Sequence, residues 1–231
     1  MKLSPINLEE FDSIIFDLGG VLLRLYPEKT VDAFSELFSM NASALYTQAR
    51  QVKLFDQFER GEISPAEFRA GVSSLAQGES DAPKLVFDEA LNRIFDQAWN
   101  AMLGQFQNEN LQLLGELGRD KRVFLLSNTN ETHIDQFLFD YKSRHESTHG
   151  PWQNFFEEAH YSHHMGMRKP ELRIFEHLLE KHQLDPSRTV FLDDNQANCD
   201  AAAQAGIRGI YHSTNSPLPS RFAKVSDVSA G

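Results

Sequence analysis

Ile14–Val21, with the sequence IIFDLGGV, is the most informative part of the chain. An apolar run of β-forming residues that stops at a carboxylate and two glycines is typical of a buried parallel strand and the turn after it. In open α/β sheets, ligands bind in the crevice at the carboxyl ends of the strands. The stretch therefore predicts that Asp17 lies at the end of a central strand, in a ligand site.

The composition is that of an ordinary globular protein with an acidic balance. The 231 residues are 41% hydrophobic, enough for one sizeable core or for a core with a smaller domain. The 33 acidic and 22 basic residues give a net charge of -11, which argues against a nucleic-acid or membrane partner. A small anionic ligand would therefore require a local basic pocket.

Cysteine usage and the amino-terminal sequence indicate where the protein works. The single cysteine, Cys199, excludes an intrachain disulfide. Residues 1–12 have neither a basic start nor a long apolar segment, so we expect a cytoplasmic protein. The sequence does not decide between a monomer and a homodimer.

The order of the sequence patterns predicts an α/β fold with a helical insertion. After the Asp17 strand, about eighty residues show helical periods and no convincing strand. From residue 108 onward, helical and strand patterns alternate, as in a parallel sheet with covering helices. We predict a Rossmann-like core of residues 1–25 and 103–231, interrupted by an all-helical domain of residues 26–102.

Reactive side chains follow three of the predicted strands. Asp17 follows the first strand, Ser127 follows a second, and the pair Asp193 and Asp194 follows a third. Between the second and third strands, a glycine-to-proline loop carries Lys169 just before a predicted helix. The carboxyl ends of parallel strands share one edge of the sheet, so we expect these groups to meet there. Together they favour phosphoryl transfer through an aspartyl-phosphate with a hard divalent cation, Mg²⁺.

Charge assigns a role to each of these groups. A phosphate dianion repels a carboxylate, so attack by Asp17 on phosphorus requires Mg²⁺ and a fixed cation to neutralise the charge. We predict that Asp17 and Asp194 are oxygen ligands of Mg²⁺, and that Asp193 binds it directly or through water. The phosphoryl oxygens would be held by Ser127, the amide of Asn128 and Lys169.

Four motifs in this order resemble those of the haloacid dehalogenase-like hydrolase superfamily: Asp17, Ser127, Lys169, and Asp193 with Asp194. The order and the spacing hold over nearly the whole chain. The resemblance implies a phosphatase that acts on small phosphorylated metabolites with Mg²⁺ as its cofactor. It also implies that the helical insertion is a cap domain that closes over the active site.

Shorter stretches are similar to the bacterial α-D-glucose 1-phosphate phosphatases of that superfamily. They are FERGEIS at residues 58–64, LSNTN at residues 126–130, Gly166–Glu171 and Asp193–Asn195. The resemblance implies a sugar phosphate substrate and a cap loop that faces it. In that loop, Phe58 would pack on a sugar face, Glu59 would bind hydroxyl groups, and Arg60 would also bind the substrate. The alternative is an amphipathic helix whose aromatic residue is buried and whose charged residues are solvated.

Gly19 departs from the superfamily pattern. Most of its phosphatases have an aspartate there, which protonates the leaving group, activates water and lends its backbone carbonyl to the metal. The resemblance implies that Gly19 keeps the carbonyl as a metal ligand and lacks an acid that is worth about 10²- to 10⁴-fold in rate. We therefore hypothesise a preference for good leaving groups, above all sugar 1-phosphates. Glu59 and His164 are candidate replacements for the missing acid.

Two other functions remain open from the sequence. A haloacid dehalogenase would use Asp17 on carbon without a metal, although the acidic pair counts against this function. A non-catalytic phosphate-ester binding protein would keep the pocket and lose turnover because Gly19 supplies no acid. A zinc site of His160, His163 and His164 is disfavoured, because their spacing matches no closed zinc site.

Overall fold

A parallel five-stranded sheet lies at the centre of the fold. The structure is a computed structural model that describes residues 5–39, 42–43, 53–77, 87–212 and 217–222. Its strands in chain order are β1 (Ser13–Phe16), β2 (Leu23–Leu25), β3 (Leu103–Phe106), β4 (Arg122–Ser127), β5 (Glu158–Tyr161), β6 (Thr189–Asp193) and β7 (Arg208–Tyr211). Five strands pair in parallel in the order β5-β4-β1-β6-β7, and β2 pairs with β3. This order confirms the predicted Rossmann-like α/β core.

Helices cover the sheet and form the segment between β2 and β3. They are α1 (Pro27–Phe38), α2 (Lys53–Glu59), α3 (Pro65–Gln77), α4 (Glu89–Asn100), α5 (Asn108–Leu117), α6 (Glu131–Arg144), α7 (Glu146–His149), α8 (Ser162–Met165), α9 (Leu172–His182) and α10 (Gln196–Gln204). Short 3-10 turns occupy Leu8–Glu10, Trp152–Phe155, Pro186–Arg188 and Leu218–Arg221. Within the described ranges, no helix has both the length and the apolar character that a membrane crossing requires.

The middle strand, β1, is buried on both faces. Ile14 and Phe16 contact one apolar cluster, and Ile15 contacts another. Side chains alternate between the two faces of a strand, so a run without polar residues marks a strand that is covered on both sides. The amide of Asp17 donates to the carbonyl of Leu192 at 2.9 Å, which fixes the end of β1 against β6. Ile14–Phe16 therefore belongs to the predicted central strand, and Asp17 lies at its end.

The helical segment between β2 and β3 has an apolar core of its own. Aromatic side chains from α1, α2, α3 and α4 pack together there: Phe34, Phe58, Phe68, Phe95 and Trp99. Helix α3 begins with a capping box, in which the Ser64 amide donates to Glu67 at 2.8 Å and the Glu67 amide donates to Ser64 Oγ at 3.3 Å. A separate core is what a structural unit of this size requires. The division of the chain at residues 26 and 102 stays a prediction.

The prediction of a stretch without strands after β1 is wrong at its start. Strand β2 pairs with β3 in an antiparallel ribbon through which the chain enters and leaves the helical segment. Gly104 permits this pairing, because a Cβ there would lie 2.5 Å from the carbonyl oxygen of Arg24. Three- and four-residue strands give almost no periodic signal, and the pairing joins distant parts of the sequence.

Candidate active site

Lys169 joins the ends of three strands at the carboxyl edge of the sheet. Its Nζ donates to Asp17 Oδ1 at 2.7 Å, to Asp193 Oδ2 at 2.7 Å and to the carbonyl oxygen of Leu126 at 2.8 Å. These acceptors lie at the ends of β1, β6 and β4, and the lysine is only 1% exposed. The structure thus brings three of the predicted site residues into direct contact.

The carboxyl group of Asp17 lies where negative charge accumulates. Burial raises its pKa to about 7, the ammonium of Lys169 opposes that shift, and the carboxylates of Asp193 and Asp194 add to it. Burial and the charge of Asp193 also raise the pKa of Asp194 to about 6. Burial acts to lower the pKa of Lys169, but its carboxylate partners outweigh that effect and raise it. A further cation at this edge would keep all the carboxylates ionised.

Asp193 and Asp194 are adjacent in sequence and differ in their surroundings. Asp193 is fully buried. Besides its contact with Lys169, it accepts hydrogen bonds from the Asn195 amide at 2.8 Å and from the Asn198 side chain at 3.0 Å. Asp194 is only half-buried and lies against the turn that follows β1. The oxygens of Asp193 are thus already engaged in fixing Lys169 and the start of α10.

Gly20 makes room for the Asp194 carboxylate. A Cβ at Gly20 would lie 2.0 Å from Asp194 Oδ2, and its backbone φ of +77° also favours glycine. One carboxylate oxygen from each of Asp17, Asp193 and Asp194 lies within 4.8 Å of the others. A set of three carboxylate oxygens at this spacing fits a hard divalent cation such as Mg²⁺.

Ser127 ends β4, and the next residue, Asn128, contacts the loop of residues 166–171, here called the lysine loop. The Asn128 side chain accepts from the amide of Lys169 and donates to its carbonyl, both at 2.8 Å. Ser127 is buried at the end of the strand. The sequence assigned a role only to the Asn128 amide, because a side-chain partner 41 residues away leaves no local signal. That side chain fixes the backbone of the lysine loop.

Gly19 is a closely packed position. A Cβ there would approach Leu25 Cδ1 to 2.6 Å, and Gly19 forms an isolated bridge with Leu23 of β2. The tip of a leucine side chain can change rotamer, so rotation of Leu25 would accommodate a larger residue. The position can therefore be tested with an acidic side chain.

Phe58 lies in the core of the helical segment. It is 2% exposed, and its ring stacks on Phe68 with a centroid distance of 4.2 Å. Phe58 lies within helix α2, which ends at Glu59, and its ring is buried, as the amphipathic-helix alternative predicts. Phe58 also lines the cavity described below, and its contact with a sugar stays a prediction.

Ion pairs join α2 to the lysine loop. Arg168 pairs with Asp56 and Glu59, each at 2.7 Å, and Arg60 pairs with Glu171 at 2.5 Å. These five residues are called the α2 clasp below. Burial raises the pKa of Glu59, while its partner Arg168 opposes the shift. Glu59 and Arg60 therefore contact the loop that carries Lys169, and their binding of substrate stays a prediction. The sequence assigned no role to the other three members, although Arg168 and Glu171 lie in the quoted stretch Gly166–Glu171.

A cavity of about 600 Å³ lies between the helical segment and the sheet domain. Its walls come from the turn after α2, the start of α6 and the residues around α8. Two histidines and three carboxylates are among the residues that line it: His163, His164, Glu62, Glu131 and Asp135. The volume is in the range of small-molecule sites, and the lining is rich in hydrogen-bonding groups.

The fold and the strand-end residues define a class of protein, and comparison with known proteins agrees with it. The model of the haloacid dehalogenase-like hydrolases matches residues 11–206 of the chain. The chain therefore belongs to the haloacid dehalogenase-like hydrolases, which confirms the family that the four motifs indicated.

Two named phosphatases are similar in sequence to this chain. D-ribitol-5-phosphate phosphatase of Bacteroides thetaiotaomicron is 28% identical over 197 residues, which cover 84% of this chain and 88% of that protein. A sesquiterpene phosphatase of Aspergillus oryzae is 27% identical over 202 residues, 87% of this chain and 89% of that protein. Phosphoric monoester hydrolases are thus among its relatives, in agreement with the predicted enzyme class.

Solved structures share the fold. A HAD family enzyme of Bacteroides thetaiotaomicron, in complex with magnesium and inorganic phosphate, is 30% identical and superposes with a TM-score of 0.77. The match covers 92% of this chain and 100% of that one. L-2-haloacid dehalogenase of Xanthobacter autotrophicus is 15% identical over 85% of this chain and 75% of that one, with a TM-score of 0.56, which shows the fold alone. The metal in the first structure is the predicted cofactor.

Proposed function

We propose that this hydrolase is a Mg²⁺-dependent phosphatase of small phosphorylated metabolites, with Asp17 as the nucleophile. The observation that carries the proposal is the Lys169 ammonium, which lies 2.7 Å from Asp17 while the Asp194 carboxylate stands within metal-binding range. A buried ammonium and a set of carboxylates at a strand edge suit the attack of a carboxylate on a phosphate dianion.

Each carboxylate has its own part in the proposal. Asp17 and Asp194, with the carbonyl of Gly19, would hold Mg²⁺. Asp193 would position the ammonium of Lys169 through a 2.7 Å contact. The bound cation would neutralise charge on the substrate phosphate and keep the carboxylates ionised.

The reaction would proceed in two displacements on phosphorus. Asp17 attacks phosphorus, and the ester P–O bond breaks with its electron pair on the leaving oxygen, which forms an aspartyl-phosphate. The leaving oxygen takes a proton from solvent. Water then attacks phosphorus and gives up a proton to solvent, and the P–O bond to Asp17 breaks with its electron pair on the carboxylate, which releases inorganic phosphate and restores Asp17. Ser127, the Asn128 amide and Lys169 would hold the phosphoryl oxygens during both steps. The two steps consume one water molecule and leave the enzyme unchanged.

Sugar and polyol phosphates are the substrates that we propose, glucose 1-phosphate among them. The relative from Bacteroides thetaiotaomicron is named for D-ribitol 5-phosphate, a polyol ester. The cavity beside α6 is lined by carboxylates and histidines, which can bind hydroxyl groups, and Asp17 and Lys169 are not among the residues that line it. Because Gly19 supplies no acid, esters with good leaving groups, such as sugar 1-phosphates, should react faster than 6-phosphates.

We also propose that residues 26–102 act as a cap on the core, and that the enzyme works in the cytoplasm. The helical segment has its own aromatic core, and the α2 clasp joins it to the lysine loop. Motion of this segment would open and close access to Asp17. A single cysteine is in keeping with a reducing compartment.

The test is a phosphate-release screen over sugar phosphates, polyol phosphates and an activated aryl phosphate. Activity should depend on Mg²⁺, disappear with EDTA and return when Mg²⁺ is added in excess. Asp17→Asn is the blank, because it keeps the size of the side chain and removes the nucleophile. Halide release that is indifferent to EDTA would instead support a dehalogenase. Tight binding of phosphate esters without release would support a non-catalytic binding protein.

A further inference from the structure

A second group of metal-ligating side chains lies away from Asp17. Glu158 and His160 of β5 and His182 at the end of α9 each place a ligand atom within 4.8 Å of the others. Strand β4 separates β5 from β1 in the sheet order. The group shares no residue with the catalytic edge described above. His163 and His164, which the sequence placed beside His160 as possible ligands, are not part of it.

The sheet register explains why these side chains meet. Glu158 pairs with Phe124 and His160 pairs with Leu126 in the parallel register of β5 and β4. Both partners belong to the apolar cluster to which α9 contributes, so Glu158 and His160 lie on the face of β5 that α9 covers. The last residue of α9, His182, packs its ring against Phe124 with centroids 4.6 Å apart.

The local geometry brings three donor atoms to one point. His160 Nε2 lies 2.8 Å from His182 Nε2, and His182 Nε2 lies 3.7 Å from Glu158 Oε2. The two histidine side chains are 3% and 8% exposed, whereas that of Glu158 is 40% exposed. A hydrogen bond between these two nitrogens uses one proton, so the accepting nitrogen has a lone pair that a metal could bind. The exposed side of Glu158 gives an ion a path from solvent.

We propose that Glu158, His160 and His182 form a binding site for Zn²⁺ or a similar transition-metal cation. Two imidazoles and a carboxylate, with a water molecule as the fourth ligand, are a common zinc donor set. Mg²⁺ prefers oxygen donors, so the two metals would divide between the two sites. With bonds of about 2.0–2.1 Å, the two nitrogens would move apart by roughly 0.5 Å.

Binding at this site changes two existing contacts. The ammonium of Lys181 pairs with Glu158 and would yield to the cation. The direct contact between the two imidazoles would be replaced by two bonds to the metal. Because His182 ends α9 and the other two ligands lie on β5, the ion would join a helix end to the edge strand. Zn²⁺ would therefore stabilise the fold without entering the phosphatase reaction.

The experiment is zinc titration of the full chain after chelator treatment, by calorimetry in excess Mg²⁺. Wild type should bind one Zn²⁺ that Mg²⁺ does not displace, and its Tm should rise. The affinity should fall by more than about 100-fold in His160→Gln with His182→Gln. The exposed His177→Gln on the same helix is the matched control and should bind like wild type. Asp194→Asn should also retain this zinc site.

Cobalt provides a second readout that does not depend on stability. Co²⁺ at a site with two imidazoles should give visible absorption bands in wild type. The bands should be weaker in Glu158→Gln and absent in the double histidine variant. Circular dichroism of the metal-free variants tests whether they fold. No zinc-specific site in the folded wild type, or unchanged binding in the folded double variant, would overturn the proposal. Zinc bound only at the Asp194 edge, and lost in Asp194→Asn, would do the same.

Discussion

At the scale of single residues, the structure separates the roles of two adjacent carboxylates. Asp193 is buried and bonds Lys169, Asn195 and Asn198, whereas Asp194 is half-buried beside Gly20. The sequence predicted that both carboxylates reach the metal region and left open whether Asp193 binds the metal directly or through water. Only the three-dimensional partners of each oxygen distinguish them, since the two residues are identical and adjacent.

Matched substitutions test this separation. Asp194→Asn removes a proposed metal ligand, so the Mg²⁺ concentration for half-maximal activity should rise by at least about tenfold. Asp193→Asn should lower kcat at saturating Mg²⁺ by about 10- to 100-fold, because Lys169 loses a charged partner, and should change the Mg²⁺ requirement less. Magnesium titrations of phosphate release compare the two, with thermal unfolding as the check on folding. Equal effects on the Mg²⁺ requirement would contradict distinct roles.

Gly19 tests the consequence of a missing acid. Gly19→Asp should speed the hydrolysis of sugar 6-phosphates by up to about 10²-fold and change that of 1-phosphates little, because only the poorer leaving group requires a proton. Gly19→Asn is the matched control, since its Cβ meets the same Leu25 Cδ1 that lies 2.6 Å away and it carries no acid. The measurement is the ratio of kcat/KM for the two esters. A ratio that is unchanged in Gly19→Asp would remove support for the leaving-group explanation.

At the scale of secondary-structure elements, α2 and the lysine loop form one unit held by charge. The α2 clasp contains an Arg60–Glu171 pair in which both side chains are about a quarter exposed, at 23% and 24%. These partners are 111 residues apart in sequence. An ion pair of this kind contributes about 1 kcal/mol or less, so its value lies in positioning more than in stability. Sequence patterns reveal the two elements but not this pairing.

Charge reversal tests the clasp. Arg60→Glu places two negative charges together and should raise KM for a sugar phosphate, because the helical segment closes less often. Exchanging the charges, with Arg60→Glu and Glu171→Arg in one chain, should restore part of the loss, with a coupling of about 1 kcal/mol. Steady-state kinetics of the two single variants and the double variant give that coupling. Strictly additive effects would show that the pair does not hold α2 on the loop.

The elements themselves were predictable to different degrees. Strand β1 could be predicted because Ile14–Phe16 is apolar on both faces and is followed by an acid and two glycines. Strands β4 and β6, which end in Ser127 and Asp193, could be predicted for the same reason. The β2–β3 ribbon could not, because its strands are short and Leu23 pairs with Phe106 far along the chain. Phe58 was ambiguous, since an aromatic residue on a helix can serve either a core or a site.

At the scale of the whole molecule, buried histidines make stability depend on pH. Burial lowers the pKa of four described histidines to about 4, from an ordinary value of 6.5: His133, His160, His163 and His212. Between pH 6.5 and 4 the unfolded chain binds protons that the folded chain does not. We therefore expect the contribution of these histidines to the free energy of unfolding to be complete above pH 6.5 and to fall as the pH decreases through this range. The raised pKa values of Asp17 and Asp194 act in the opposite direction.

His133 allows a test of this dependence at one residue. Its ring stacks on Trp99 with centroids 4.8 Å apart, and its Nε2 contacts the Trp99 carbonyl, which also accepts from Thr30 at 3.0 Å. His133→Phe keeps the stacking and leaves that carbonyl bonded to Thr30. The variant should lose less stability than wild type when the pH is lowered from 6.5 to 4. Urea unfolding at several pH values measures the slope, and an identical slope would contradict the assignment.

If Asp17 is the nucleophile, it carries the phosphoryl group during each turnover, and an acid quench can trap the group there. The enzyme is mixed with Mg²⁺ and a sugar 1-phosphate and is quenched in acid during the first turnover. It is then digested, and the masses of its peptides are measured by mass spectrometry. We expect one phosphoryl group on the peptide that contains Asp17, and none in Asp17→Asn or in the sample with EDTA. Phosphate release without that modified peptide, or with the group on another residue, would contradict this role of Asp17.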